Sequence, residues 1–88
     1  MLTQYMIKYV FTVRDNKTDS FFDPIYFAHQ SMAERAMKDC IADDNHVLGK
    51  HTADFALYYL GEYDDSTGKH ELQDAPLHVS NLVDLKGE

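Results

Sequence analysis

Apolar and polar side chains alternate near the start of the chain, and this alternation predicts β-structure. Residues 5–14 read YMIKYVFTVR, a run rich in β-branched and aromatic side chains that favours a strand. The polar stretch 15–20 is typical of a turn, and the aromatic pattern resumes from Phe21 to His29. Because proline cannot donate to a central ladder, Pro24 indicates an edge strand or a strand start. One side of the first strand would carry Tyr5, Ile7, Tyr9, Phe11 and Val13, and the other Met6, Lys8, Val10, Thr12 and Arg14.

The period changes from two to about three and a half after residue 30, which predicts a helix. Ser31 and Glu34 have the S-x-x-E spacing of a capping box, so the helix should begin at Ser31. Loss of this cap is expected to cost about 1 kcal/mol. The helix should end near Asp43 or Asp44. Its apolar stripe comprises Ala33, Ala36, Met37, Cys40 and Ile41.

The second half of the chain returns to strand patterns after a segment with no period. Residues 45–54 are predicted to be a loop, and Phe55 to Tyr63 the third strand. Residues 64–68 supply a turn that leads into a partner strand at 69–72. Residues 74–76 should break this hairpin. Residues 77–85 are apolar enough for a last short strand or a packed tail.

These elements predict an α+β fold in a single domain, residues 1–88. A small antiparallel sheet of order β-β-α-β-β, with or without an extra C-terminal strand, would carry one helix on one face. The third strand is apolar on both sides, and one helix cannot cover two apolar faces. A two-fold homodimer through the uncovered face or edge would solve this problem. The alternative is a tail that folds back over that face, through Leu77, Val79, Leu82, Val83 and Leu85.

Composition narrows the classes of function. The 88 residues contain 8 basic and 15 acidic side chains, a net charge of −7. Only three of the basic groups, against nine acidic ones, lie in residues 44–88, so long-range attraction to phosphate is missing there. Nucleic-acid binding would need a local patch or stacking aromatics. Cys40 is the only cysteine, and no apolar run is long enough for a membrane span, which fits a cytoplasmic protein with no membrane partner.

No motif for catalysis, for a metal or for a cofactor is present, and we expect none of the three. The four histidines of the second half, with nearby aspartates, match no ligand spacing and are expected to be exposed: His46, His51, His70 and His78. Cys40 would need a neighbouring histidine to act as a nucleophile. Its place on the apolar stripe predicts a buried, unreactive thiol instead.

The eleven aromatic residues are the one enrichment that suggests a binding site. Rings on neighbouring strands could stack with unpaired bases while nearby cations contact phosphate. The other interpretation is that the rings form the core or a subunit interface. The candidate stacking residues are Tyr9, Phe11, Tyr26, Phe27, Tyr58 and Tyr59, and the candidate phosphate contacts are Lys8, Arg14 and Lys17.

The order of local features also resembles a known family. Residues 5–72 contain FTVRDNKTDSFFDPIYF, then the helix SMAERAMKDCIADDNH, then GKHTADFALYYLGEYDDSTG, followed by a variable segment at 73–88. These stretches are similar to the small nonstructural protein of gokushovirus-type Microviridae, bacteriophages with circular single-stranded DNA. Here DPIYF stands where the family has a Pro-Pro-aromatic segment. The resemblance implies a role in single-stranded DNA synthesis or in its coupling to packaging, and it brings no catalytic residues.

Two functions follow as hypotheses. The first is a non-enzymatic protein that assists genome replication or packaging, through weak DNA binding or through binding the replication complex. The alternative is an acidic adaptor that binds a host or phage protein without touching DNA. The acidic charge favours the adaptor, and the phage resemblance favours the replication protein.

Overall fold

The computed structural model describes residues 6–86, and it has the expected α+β fold. Five strands form one antiparallel sheet, and three α-helices and a 3₁₀ helix accompany it. Tyr5 lies outside the described residues. In chain order the elements are β1 (Ile7–Asp15), β2 (Ser20–Phe21), β3 (Ile25–Phe27), α1 (Gln30–Ile41), α2 (Val47–Lys50), the 3₁₀ helix Thr52–Asp54, β4 (Phe55–Asp64), β5 (Lys69–Asn81) and α3 (Leu82–Leu85).

Strand β1 lies at the centre of the sheet. It pairs with β4 along one edge and with both β2 and β3 along the other, and β5 is the outer neighbour of β4. Pro24 separates β2 from β3 at the edge of the sheet, which confirms its predicted position. The predicted turn before Lys69 is also present, and Gly68 occupies it with a positive φ.

The predicted break at 74–76 interrupts the pairing with β4, but it does not end the strand, because β5 continues from Lys69 to Asn81. Gly61 pairs with Leu72 and Tyr59 pairs with Leu77, so residues 73–76 have no partner on β4 and lie opposite Leu60 alone. The extra residues are accommodated as an irregularity of the ladder. Pairing resumes beyond them, and the strand has 13 residues where only residues 69–72 were predicted.

Helix α1 does not use the predicted capping box. Its N-cap is His29, which makes no side-chain cap hydrogen bond, and Ser31 is already the second helical residue. Glu34 instead accepts a hydrogen bond from Gln30 Nε2, at 3.0 Å. Only two residues separate the end of β3 at Phe27 from the start of the helix at Gln30. It also ends at Ile41, before the predicted boundary.

The segment predicted to be a loop contains two short helices, α2 and the 3₁₀ helix. The side chain of His46 accepts a hydrogen bond from the backbone N–H of Leu48 and caps α2. The Thr52 hydroxyl donates to the carbonyl of Leu48, at 2.7 Å, and this bond joins the two turns. Such one-turn helices leave no periodic signal, which is why the pattern did not predict them.

The core lies between the helices and one face of the sheet. Side chains of α1 pack there with odd-numbered residues of β1 and β4, and with Leu82 and Leu85 of α3. Residues 77–85 are therefore part strand and part helix. The predicted alternative in which they cover the opposite face is wrong, because α3 packs on the same side as α1. The buried hydrophobic cluster comprises Phe11, Val13, Ala33, Met37, Ile41, Leu48, Phe55, Leu57, Leu82 and Leu85.

Candidate nucleic-acid interface

The second face of the sheet, opposite α1 and α3, is not covered by any helix within residues 6–86. We call it the open face. Strand register determines its members, because directly paired residues of antiparallel strands point to the same side. The open face carries Lys8, Val10, Thr12 and Arg14 of β1, Phe21 of β2, Tyr26 of β3, Ala56, Tyr58, Gly61 and Tyr63 of β4, and His70, Leu72, His78 and Asn81 of β5.

Three of the rings on this face form the first ring cluster: Phe21, Tyr58 and His78. The Phe21 and Tyr58 centroids are 5.6 Å apart, and those of Tyr58 and His78 are 5.4 Å apart, both with edge-to-face geometry. The Arg14 guanidinium lies 5.8 Å from the centroid of the Phe21 ring. His78 is held by Asn81, whose Oδ1 is 2.9 Å from Nε2 of the imidazole. The cluster thus spans the sheet from β2 to β5.

The second ring cluster consists of Tyr26, Tyr63 and His70. Centroid distances are 5.4 Å for Tyr26 and Tyr63, and 4.8 Å for Tyr63 and His70. The Tyr26 hydroxyl and His70 Nε2 are hydrogen-bonded at 2.8 Å. Lys8 is the direct cross-strand partner of Tyr63. This cluster therefore spans from β3 to β5, at the other end of the face.

Both clusters bridge over the central strand. Phe21 and Tyr58 lie on opposite sides of β1, as do Tyr26 and Tyr63, so each pair of rings meets above it. This explains why Val10 and Thr12 are only 1% exposed although no helix covers them. The Thr12 hydroxyl donates to the carbonyl of Phe22, at 2.6 Å, and its burial leaves no unpaired polar group.

The outer surfaces of these rings are accessible. Phe21 is 46% exposed and Tyr26 is 42% exposed. The rings are thus held in place by their neighbours and still present apolar area to solvent. A rigid aromatic surface of this kind can stack with a planar ligand at little cost in side-chain entropy.

The two faces differ in charge, although the helix side also has one cation at a paired position, Lys69. At positions that pair across strands, the open face carries the cations Lys8 and Arg14 together with two histidines, and no carboxylate. The carboxylates of Glu62, Asp64 and Glu71 belong to the side of the helices. The guanidinium of Arg14 is paired with Asp19 of the β1–β2 turn, at 2.7 Å, which reduces its effective charge. A chain of net charge −7 therefore has one face that can accept an anion.

The structure brings together only part of the predicted set. Lys8, Arg14, Tyr26 and Tyr58 share the open face, as the hypothesis requires. Lys17 lies in the β1–β2 turn with an exposed side chain and is 4.0 Å from a carboxylate oxygen of Asp54.

The structure does not bring four other aromatic candidates onto this face. These side chains point to the side of the helices because they alternate with the open-face residues along their strands: Tyr9, Phe11, Phe27 and Tyr59. Phe11 is 1% exposed and fully part of the core.

Four open-face rings were missed. Phe21 could have been found from strand alternation, but Tyr63 could not. Tyr58 and Tyr63 are five residues apart, and a regular strand would place them on opposite sides. The register shift around Leu60 restores them to one face. His70 and His78 join them through pairing with β4, which the sequence pattern does not reveal beyond Leu72.

Other reactive groups lie on the helix side. Burial, and then the carboxylates of Asp39 and Asp43, raise the pKa of the Cys40 thiol. This residue is half-buried rather than fully buried as predicted. Burial, then Glu62 and Tyr9, likewise raise the pKa of Tyr59. Within residues 6–86, no group of three or more His, Cys, Asp or Glu side chains is placed to hold a metal ion.

The fold and the open face define a small α+β protein with one helix-covered face and one aromatic, basic face. No helix in the described part of the chain is long and apolar enough to cross a membrane. The chain belongs to a bacteriophage family: the model for the Phage ORF5 protein matches residues 8–85. This confirms the predicted phage protein. No curated protein and no solved structure matches the chain.

Proposed function

We propose that this phage protein assists replication or packaging of a single-stranded DNA genome by binding unpaired bases on its open face. It does so without catalysis, in the host cytoplasm, as the nonstructural protein of a gokushovirus-type member of the Microviridae. The observation that carries the proposal is the open face itself. It has exposed rings, two cations and no carboxylate at the positions that pair across strands, although the protein is otherwise acidic.

Physical chemistry favours a single strand over a duplex as the ligand. A duplex hides the faces of its bases, whereas an unpaired base can stack on an exposed ring for about 1–3 kcal/mol. Among residues 6–86, the only lysine and arginine side chains at paired positions of this face are Lys8 and Arg14 of β1. We therefore expect a shallow salt dependence, with log K falling by about 1.4 per tenfold increase in salt. The net charge opposes long-range attraction, so binding should be weak.

A charge-reversal pair tests the proposal. Lys8→Glu changes the charge on the open face, and Lys50→Glu makes the same change on α2, which packs on the helix side. Both variants acquire the same net charge, so any general repulsion of DNA is matched. Fluorescence anisotropy with labelled single-stranded and duplex oligonucleotides measures the affinity of each variant. The loss of affinity for the single strand should be several-fold larger for Lys8→Glu than for Lys50→Glu. Equal losses, or tighter binding to duplex, would contradict the assignment of the face.

The acidic adaptor is the second candidate. It is favoured by the net charge of −7 and by Leu77 of β5, which is 49% exposed on the helix side of the sheet, the side that also carries Glu62 and Glu71. Exposed apolar side chains on an acidic surface fit a basic, apolar protein partner. If the wild-type protein binds no oligonucleotide at micromolar concentration and low salt, the adaptor replaces DNA binding as the proposed function.

A homodimer also stays a proposal. Within residues 6–86, no strand pairs with the outer edge of β5, and a second copy could add to it. An ordinary specific interface buries about 800 Å² per partner. Light scattering at tens of micromolar should then give twice the mass of one chain. A mass of 10.2 kDa, that of a single chain, would remove the dimer.

A further inference from the structure

We infer that the open face holds two unpaired bases at once, at two separate stacking subsites formed by the first and second ring clusters. The inference rests on the proposed function and specifies the ligand of that site. Its ligand is a single strand long enough to reach both clusters, with intervening nucleotides that contact neither.

The two clusters are built alike. Each has one ring from the β2–β3 edge, one tyrosine of β4 and one histidine of β5, and each has a cation of β1 beside it. In the first cluster the cation is Arg14, whose guanidinium lies 5.8 Å from the centroid of the Phe21 ring and is also paired with Asp19. In the second it is Lys8, the cross-strand partner of Tyr63. Each cluster thus combines a stacking surface with a contact for the adjoining phosphate.

The clusters are too far apart to hold neighbouring stacked bases. Their β4 tyrosines pair with Thr12 and Lys8, which are four residues apart on β1. Four strand residues span about 13 Å. Stacked bases of one strand are only about 3.4 Å apart, so roughly four steps of a stacked run separate the subsites. Between Tyr58 and Tyr63, the open face of β4 has only Gly61, and its partner on β5 is Leu72, so neither position offers a ring.

Hydrogen bonds fix both clusters before any ligand arrives. His70 is bonded to the Tyr26 hydroxyl, and His78 is bonded to the side chain of Asn81. Each β4 tyrosine also has edge-to-face contact with the ring across β1. Both subsites are therefore preorganised, and each should act without the other.

A length series of oligothymidylates tests this arrangement. With the wild-type protein, affinity should rise steeply once the strand is long enough for both clusters, between about two and about six nucleotides. Tyr58→Leu and Tyr63→Leu each remove one stacking ring and keep an apolar side chain over β1. Each should abolish the rise, lowering the affinity of a longer strand roughly tenfold. The affinity for a dinucleotide should fall by about twofold at most in either variant, because one subsite remains.

The controls separate this inference from the proposed function. Tyr9→Leu, on the helix side, should keep the full length dependence, and thermal unfolding of every variant checks the fold. Where the β4 variants are unstable, Tyr26→Leu and Phe21→Leu address the same clusters at more exposed rings. If the longer strand binds but substitutions in one of the two clusters do not change its affinity, the two-subsite inference is wrong and DNA binding stands. If the wild-type protein binds no strand, both fail.

Discussion

Gly61 lies where β4 and β5 pair again after the four unpaired residues of β5, and we expect Gly61→Ala to be strongly destabilising. Its φ is +145°, a conformation that is strained for any residue with a side chain. An added Cβ would lie 2.3 Å from the carbonyl oxygen of Glu71 and 2.7 Å from the Cα of Leu72. Both are backbone atoms of the neighbouring strand, so no rotamer change can relieve the contact.

Two contributions set the magnitude. Backbone strain of this kind costs about 1–3 kcal/mol, and forced repacking costs about 1–3 kcal/mol more. We therefore expect a loss of about 4 kcal/mol, a large part of the stability of a typical small domain. For a chain of this size, such a loss lowers the melting temperature by roughly 15–30 °C.

Gly68→Ala is the matched control. Gly68 also has a positive φ, of +74°, but nothing lies within 4 Å of the Cβ that would be added. Only the conformational cost applies, about 1–2 kcal/mol. Urea unfolding of both variants, followed by circular dichroism, gives the two losses directly. If they agree within about 0.5 kcal/mol, the close approach of β5 to Gly61 does not contribute to the cost, and the reasoning fails.

Two further outcomes are expected. Leu82→Ala should lower the free energy of unfolding in urea by about 2–5 kcal/mol, because Leu82 is fully buried. Val83→Ala in the same helix should lower it by less than about 1 kcal/mol, because Val83 is half-exposed. Similar losses of stability in the two variants would contradict the docking of α3. Because the pKa of the Cys40 thiol is raised, less thiolate is present at pH 8 in the native protein. A thiol reagent should therefore label the native protein more slowly than the urea-unfolded protein. Equal labelling rates would show that neither burial nor the nearby carboxylates protect the thiol.

The sequence by itself determined the local elements that its periodicity encodes. β1, the hairpin strand β4 and the amphipathic helix α1 were predicted close to their observed bounds, and so was the antiparallel α+β fold. Each depends on neighbours within a few residues, since alternation specifies a strand and an i, i+3, i+4 stripe specifies a helix. The edge position around Pro24 was predictable for the same reason, because proline lacks the donor that a central strand needs.

Other features were decided by contacts that are distant in the chain. Helix α1 starts at Gln30, soon after β3 has paired with β1, and its N-cap is His29 and not Ser31. The short helices α2 and α3 are too brief for a period to appear, and Leu82 is buried through its contacts with the rest of the core.

The candidate site shows the same division most clearly. Alternation within β1 separates Lys8 and Arg14 from the core residue Phe11, so half of the face could be derived from the sequence. The other half depended on the irregular pairing around Leu60, which returns Tyr63 to the side of Tyr58. Ladder irregularities arise from how two strands fit against each other, and no single strand encodes them. The tertiary structure therefore decided that Tyr63, His70 and His78 lie on the same face as Tyr58, Lys8 and Arg14.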